Sequence, residues 1–293
     1  MKTVDALVLG GGGILGEAWM TAVLAGLEES GGFDARACTH FVGTSAGSIV
    51  AAHLSAGEAP RSRLGDLPEQ PADDAPGGAT GAVPFALRAA AAAAAPLAAT
   101  ALRLTAGGGA VARRLALSRV APGRRSLAGL ARAVERSGAR FDGRLIVNTV
   151  ELESGRRVAF GAPEAPHAPV ARAVEASCAI PGYFQPVVID RRTYVDGGAW
   201  SPTNMDVLPA ARGARVLCLN PTGSLGSVLG PLSRSVAAVE ALALRRRGAN
   251  VTTVAPDAEA SARIGGNLMD RSRRDAAIEA GFAQGVALGR RGL

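Results

Sequence analysis

Apolar positions along the chain fall into short blocks that switch between strand-like runs and helical spacing. Residues 4–9, apolar apart from Asp5, read as a buried strand, and Gly10-Gly11-Gly12-Gly13-Ile14-Leu15-Gly16 is the turn that follows. Trp19, Met20, Val23, Leu24 and Leu27 then recur at helical spacing, as core positions of a helix that Gly31-Gly32 stops. A second strand is expected at 39–42, leading through a glycine-flanked turn into a helix that ends near Ser55. Ser126 should cap a helix running to Arg136, and 144–150 is a β-prone run onto which 158–160 pairs back across Ser154-Gly155. Helices are expected at 170–177, 205–212, 232–247 and 276–288, with strands at 215–219 and 250–254. Strands alternating with helices predict an α/β fold with a mostly parallel sheet covered on both faces.

The pattern fails between 57 and 125. Residues 57–81 are rich in Pro, Asp, Glu, Gly and Ala, too little apolar surface to order themselves. Residues 85–104 are mainly alanine and leucine and predict a helix kinked or divided at Pro96. The uncharged stretch between Arg88 and Arg103 falls short of the roughly 20 residues that span a bilayer. It predicts a cap helix, or an interfacial helix presenting Phe85, Leu87, Leu97, Leu102 and Leu104 to lipid. The organisation expected is one domain over 1–293 with 57–125 as a flexible and helical cap insertion.

Composition changes this picture little. Hydrophobic residues make up 48% of 293 positions but aromatics only 4%, a skew that resembles genome composition. The net charge of +7 comes from scattered arginines, clustered at Arg113-Arg114, Arg124-Arg125, 245–247 and 271–274, and these read as solvated surface. No aromatics interleave with them to stack bases, so no nucleic-acid partner is expected. Cys38, Cys178 and Cys218 are widely spaced and odd in number, which fits neither a disulfide framework nor a paired metal motif. A reducing, cytoplasmic setting is expected, with transient association at a membrane surface. The first apolar run is too short for a signal peptide, so the mature chain is expected to begin at Met1 or Lys2.

The chemistry starts at Gly43-Thr44-Ser45-Ala46-Gly47. A serine on a sharp strand-to-helix turn needs small neighbours two residues before and after it, and Gly43 and Gly47 supply them. Ser45 is therefore read as a nucleophile, with the following helix aiming its positive end at developing negative charge. The run Gly10, Gly11, Gly12, Gly13 offers outward backbone amides for an oxyanion. The same run spells Gly11-x-Gly13-x-x-Gly16, with acids downstream at Glu28, Glu29 and Asp34, so a non-hydrolytic dinucleotide-binding protein is the alternative. A phosphate-binding P-loop fits less well still, because no lysine follows the glycines.

For the base, His40, His53 and His167 are the available histidines, and none follows Asp196 as the usual Ser, acid, His order would require. Each reads as structural or surface, which leaves a carboxylate. Asp196, before Gly197 and Gly198, is the candidate, although the same residues also make an ordinary Asp-Gly turn. A water-exposed aspartate of pKa about 3.9 is a feeble base. Burial beside Ile180, Tyr183 and Phe184 would raise it.

These pieces, with the segment Ala176-Ser177-Cys178-Ala179-Ile180-Pro181-Gly182-Tyr183-Phe184-Gln185-Pro186-Val187, occur in the order of the patatin-like phospholipases, which the chain resembles over roughly residues 4–200 apart from 57–125. The resemblance implies a three-layer α/β/α fold and hydrolysis of lipid acyl esters. It implies a Ser-Asp dyad, with Ser45 forming an acyl-enzyme, Asp196 as base and the glycine-turn amides of Gly11, Gly12 and Gly13 as oxyanion hole. Gly10, Gly16, Gly43, Gly47, Gly197 and Gly198 are then supporting positions. No metal or organic cofactor is implied, and the partner is a lipid or ester substrate. One position departs from the family's pattern: Leu15 stands where Arg or Lys is usual, which leaves a neutral ester, reduced activity or a weakly active lipid-binding relative open.

Overall fold

The alternation of side chains along the first strand sorts the core into two halves. Leu7 and Leu9 point to one face of a sheet, and Ala6 and Val8 to the other. The computed structural model describes residues 4–65, 106–209, 211–226 and 229–292. Its strands are β1 (Ala6–Leu9), β2 (His40–Thr44), β3 (Leu145–Glu151), β4 (Arg157–Phe160), β5 (Val187–Ile189), β6 (Arg192–Asp196), β7 (Arg215–Leu219) and β8 (Asn250–Val254). The helices are α1 (Gly13–Gly31), α2 (Ala46–Ser55), α3 (Ala106–Ser118), α4 (Ala128–Arg136), α5 (Val170–Ser177), α6 (Leu229–Arg246), α7 (Ala258–Ile264) and α8 (Arg274–Arg290).

Strand neighbours run β5-β6-β3-β2-β1-β7-β8, with β4 also on β3. The block β3-β2-β1-β7-β8 is parallel throughout, while β4, β5 and β6 join antiparallel. Leu7, Phe41, Leu145 and Leu217 pack with Trp19 and Leu24 of α1, Val50 of α2 and Ala277 of α8. On the opposite face Val8, Val42, Ile146 and Cys218 pack with Ala237, Ala241 and Leu244 of α6. Parallel strands buried on both faces need apolar residues at nearly every position, which is why β1 and β7 read as continuous apolar runs rather than alternating ones.

Several elements differ from the sequence reading. The helix expected at 205–212 is only a turn, Met205–Val207, because Asn204 is left-handed (φ 48°) and Leu208 is held extended before Pro209. The run before Asp196 is a whole hairpin, β5 and β6, closed by Asp190 and Arg191 at positive φ. Helix α7, capped where Asp257 accepts from the Ala260 amide at 2.9 Å, was not anticipated. Helix α4 starts at Ala128, and Ser126 accepts from its amide at 3.1 Å. The predicted helix at 85–104, its interfacial face, and most of the 57–81 loop lie outside the described residues. Within 57–65 the chain makes a tight turn, Pro60–Arg63.

Register on β3 fixes the site. Asn148 pairs with Thr44 of β2, and the next residue, Thr149, pairs with Asp196 of β6. Strand β4 spans Val147 to Val150 and so overlaps both partners, which leaves β2 and β6 on the same edge of β3, end to end. The last residue of β2 therefore abuts the last residue of β6.

Candidate active site

Ser45 is the residue at which the chain leaves β2 for α2. Its backbone is held at φ 51°, ψ −125°, a conformation that costs a non-glycine residue on the order of 1–3 kcal/mol. Neighbouring groups impose it. The Ser45 amide donates to Ser177 Oγ at 2.9 Å, and its carbonyl accepts from Ser48 N at 2.8 Å and Ser48 Oγ at 2.6 Å. The turn is also crowded: a Cβ at Gly47 would lie 1.9 Å from the Leu9 carbonyl oxygen, and one at Gly43 2.4 Å from Ser48 Cα. A serine at a helix start ordinarily caps the helix with its hydroxyl. Here Ser45 Oγ instead donates to Asp196 Oδ2 at 2.6 Å.

Asp196 is buried, and its other oxygen accepts from the Gly198 amide at 2.7 Å. Burial pushes its pKa up to about 6 against the opposing pull of the Ser45 hydroxyl and the Gly198 amide, both of which favour the carboxylate. The apolar surroundings are only partly those read from sequence. Ile180 lines the cavity above the pair, but Tyr183 and Phe184 stack edge-on against each other, 4.6 Å apart, away from the cavity wall. Tyr183 instead accepts from Arg125, whose guanidinium lies over its ring.

The glycine turn lines the same cavity as the Ser45–Asp196 pair, with Gly11 next to Ser45. Gly11 does not offer a free donor, because its amide already donates to the Pro202 carbonyl at 2.9 Å. The expected trio thereby contracts to Gly12 and Gly13, whose amides have no bonded acceptor among the described residues. They open α1, and its start carries no side-chain cap, so its positive end is directed at the same space. Two of the three glycines of the dinucleotide spacing are pressed against protein. A Cβ at Gly16 would meet Pro221 at 3.0 Å, and one at Gly13, itself at φ +57°, would meet the Leu268 carbonyl and Met269 sulfur at 2.8 Å. Their smallness serves packing. Leu15 is fully buried in the apolar core and does not line the cavity, so a cation in its place would sit in that core.

A family model, "Patatin-like phospholipase", matches residues 7–209. The chain belongs to this family. That membership supports a lipid-hydrolysing function. Among solved structures the chain is similar to VipD from Legionella pneumophila, at 14% identity and a TM-score of 0.46, the match covering 99% of this chain and 67% of that one. It is similar to the type III effector protein ExoU at 15% identity and a TM-score of 0.43, covering 99% of this chain and 53% of ExoU. The chain thus spans about two thirds of the first and about half of the second. No curated protein matches it.

The patatin-like site has a polar floor that the sequence reading passed over. Ser177 Oγ donates to the Asn148 carbonyl at 2.7 Å while accepting from Ser45, and Asn148 Nδ2 donates to the Gly43 carbonyl at 3.2 Å. Asn204 Nδ2 reaches Thr44 Oγ1 at 3.1 Å and the Ser201 carbonyl at 2.7 Å. Glu240 of α6 accepts from Thr203 Oγ1 at 2.5 Å and from the Met205 amide at 2.8 Å, and burial raises its pKa to about 6. A polar Asn148 directly after the apolar run Leu145-Ile146-Val147, and a lone Glu240 on the apolar face of α6, were the available signals. None of the histidines lines the cavity: His53 is buried beside Glu58 at 2.9 Å, His40 contacts Thr39 Oγ1 at 3.1 Å and His167 is exposed. Among the described residues no group of three or more His, Cys, Asp or Glu is placed to hold a metal ion, and no helix is long and apolar enough to cross a membrane.

Proposed function

We propose that this chain is a serine lipid acyl hydrolase that cleaves carboxylic esters through an acyl-enzyme on Ser45. The single observation that carries the reading is the 2.6 Å hydrogen bond from Ser45 Oγ to the buried Asp196 carboxylate, at the base of an apolar cavity of about 190 Å³. Asp196 accepts the hydroxyl proton as Ser45 attacks the ester carbonyl. Its raised pKa brings it closer to that of an effective base near neutrality than a free aspartate would be. The amides of Gly12 and Gly13 hold the oxyanion, each such donor being worth about 2.7–4 kcal/mol in the transition state. Asp196 then returns the proton to the leaving alcohol and activates the water that releases the acid. Ile180, Leu268 and Met269 of the cavity lining suit an acyl chain.

Purified parent protein should cleave p-nitrophenyl acyl esters and be labelled at Ser45 by a fluorophosphonate. Ser45→Ala and Asp196→Asn should each lose at least about 10³-fold in kcat/KM with the circular dichroism spectrum retained. Parent-level turnover by either variant would overturn the assignment.

A further inference from the structure

One wall of the cavity comes from residues beyond the segment that the family model matches. After β7 ends, Asn220 leads into the turn Pro221–Ser224, and Pro221 packs on Gly12. Thr222 therefore sits beside the glycine turn. Thr222 and Ser233, the latter from α6, both line the cavity that holds Ser45. Their hydroxyl oxygens are hydrogen-bonded to each other at 2.8 Å and lie 3.0 and 3.1 Å from Asn220 Oδ1, so their two hydrogens are shared among three contacts within this triad. Asn220 is buried, and its Nδ2 has no partner. A hydroxyl has one hydrogen and two lone pairs. With both hydrogens turned inward, the pair presents only acceptors to the cavity.

The remainder of that wall is apolar, formed by Leu225, Leu229, Leu232 and Val236. Among the described residues that line the cavity there is no Arg, Lys or His. Arg113, stacked on Trp200 at 4.0 Å, is not an exception. It does not line the cavity, and its guanidinium donates to the carbonyls of Ala199 and Gly155, both at 3.0 Å. Two acceptors in an apolar wall without a cation favour a ligand that gives a hydrogen and carries no negative charge.

We propose that Thr222 and Ser233 form an alcohol-binding subsite that selects esters whose alcohol half is uncharged and keeps a free hydroxyl near the scissile bond. The proposal rests on Ser45 being the nucleophile. A substrate without that hydroxyl leaves the acceptors unpaired when the cavity closes around it, which is how a site built for a hydroxyl rejects the analogue lacking one. A phosphate would set its own oxygens against their lone pairs.

The test compares 1-monoacylglycerol with its 2,3-di-O-methyl ether, which has the same acyl chain and ester, in the same detergent micelles. The parent should prefer the glyceride by roughly 10-fold in kcat/KM. Thr222→Val and Ser233→Ala should each reduce that preference by about 3- to 10-fold, the worth of one hydrogen bond. Thr222→Ser should retain it. Equal cleavage of the two esters by the parent would overturn the proposal, and is the result expected if the Asn220 amide were turned so that Nδ2 donated to the pair and freed a hydroxyl hydrogen for the cavity. Loss of both substrates by one common factor in Thr222→Val and Ser233→Ala would equally overturn it. If the parent cleaved neither ester and Ser45 took no fluorophosphonate, the hydrolase reading itself would fall, whereas labelling and cleavage without preference would remove the subsite alone.

Discussion

At the scale of single residues, the site depends on two groups held away from their preferred states. Ser45 occupies a backbone region that serine avoids, and Asp196 sits where its charge is poorly solvated. The second has a direct kinetic consequence. Because burial lifts the Asp196 pKa to about 6, its proposed role as base means that an inactive, protonated form accumulates below that value and the basic form prevails above it. kcat/KM should therefore be flat above about pH 7 and fall tenfold per pH unit well below 6, and a limb placed near pH 4 would contradict this. The turn makes a steric prediction. Gly47→Ala drives a Cβ to 1.9 Å from the Leu9 carbonyl oxygen and should fail to give folded protein, whereas Gly11→Ala, whose Cβ would sit 3.5 Å from Ser45 Cβ, should remain folded. Soluble yield and circular dichroism of the two variants settle the comparison.

At the scale of elements, α8 is the helix that closes α1 against the sheet. Gly281, Gly285 and Gly289 recur every four residues along its buried face and let its backbone ride directly on α1, a Cβ at Gly285 falling 2.2 Å from the Val23 carbonyl oxygen. Trp19 Nε1 of α1 donates to Gln284 of α8 at 2.9 Å across the same seam. Since α1 begins at the glycine turn, any shift of that seam displaces the Gly12 and Gly13 amides. Gly285→Ala should cost about 1–3 kcal/mol, a fall in Tm of roughly 3–10 °C, and should lower kcat as well. Ala287→Ser on the exposed face should stay within about 0.5 kcal/mol. Thermal melts and turnover on the same ester test both halves of this expectation.

At the scale of the whole molecule, the matched family segment stops at residue 209 while the sheet does not. Strand β7 pairs with β1 from Ala6–Val216 to Leu9–Leu219, α6 covers the second face of the sheet, and α8 covers α1. A chain cut after residue 209 would expose the β1 edge and both apolar faces, so it should not unfold cooperatively in a thermal melt; a sharp transition would contradict this. The amino-acid sequence by itself determined the parallel block, because strands buried on both faces must be apolar runs, and it determined the serine turn, because only small residues fit at 43 and 47. It also carried Asp196 as a candidate through its neighbouring glycines, but could not separate it from an ordinary turn. Tertiary structure decided the rest. The end-to-end abutment of β2 and β6 on β3 and the occupied Gly11 amide join residues far apart in the chain, and the meeting of Thr222 with Ser233 joins a turn to the helix that follows it. No local spacing encodes such contacts, since they follow from strand register and from which surfaces pack together.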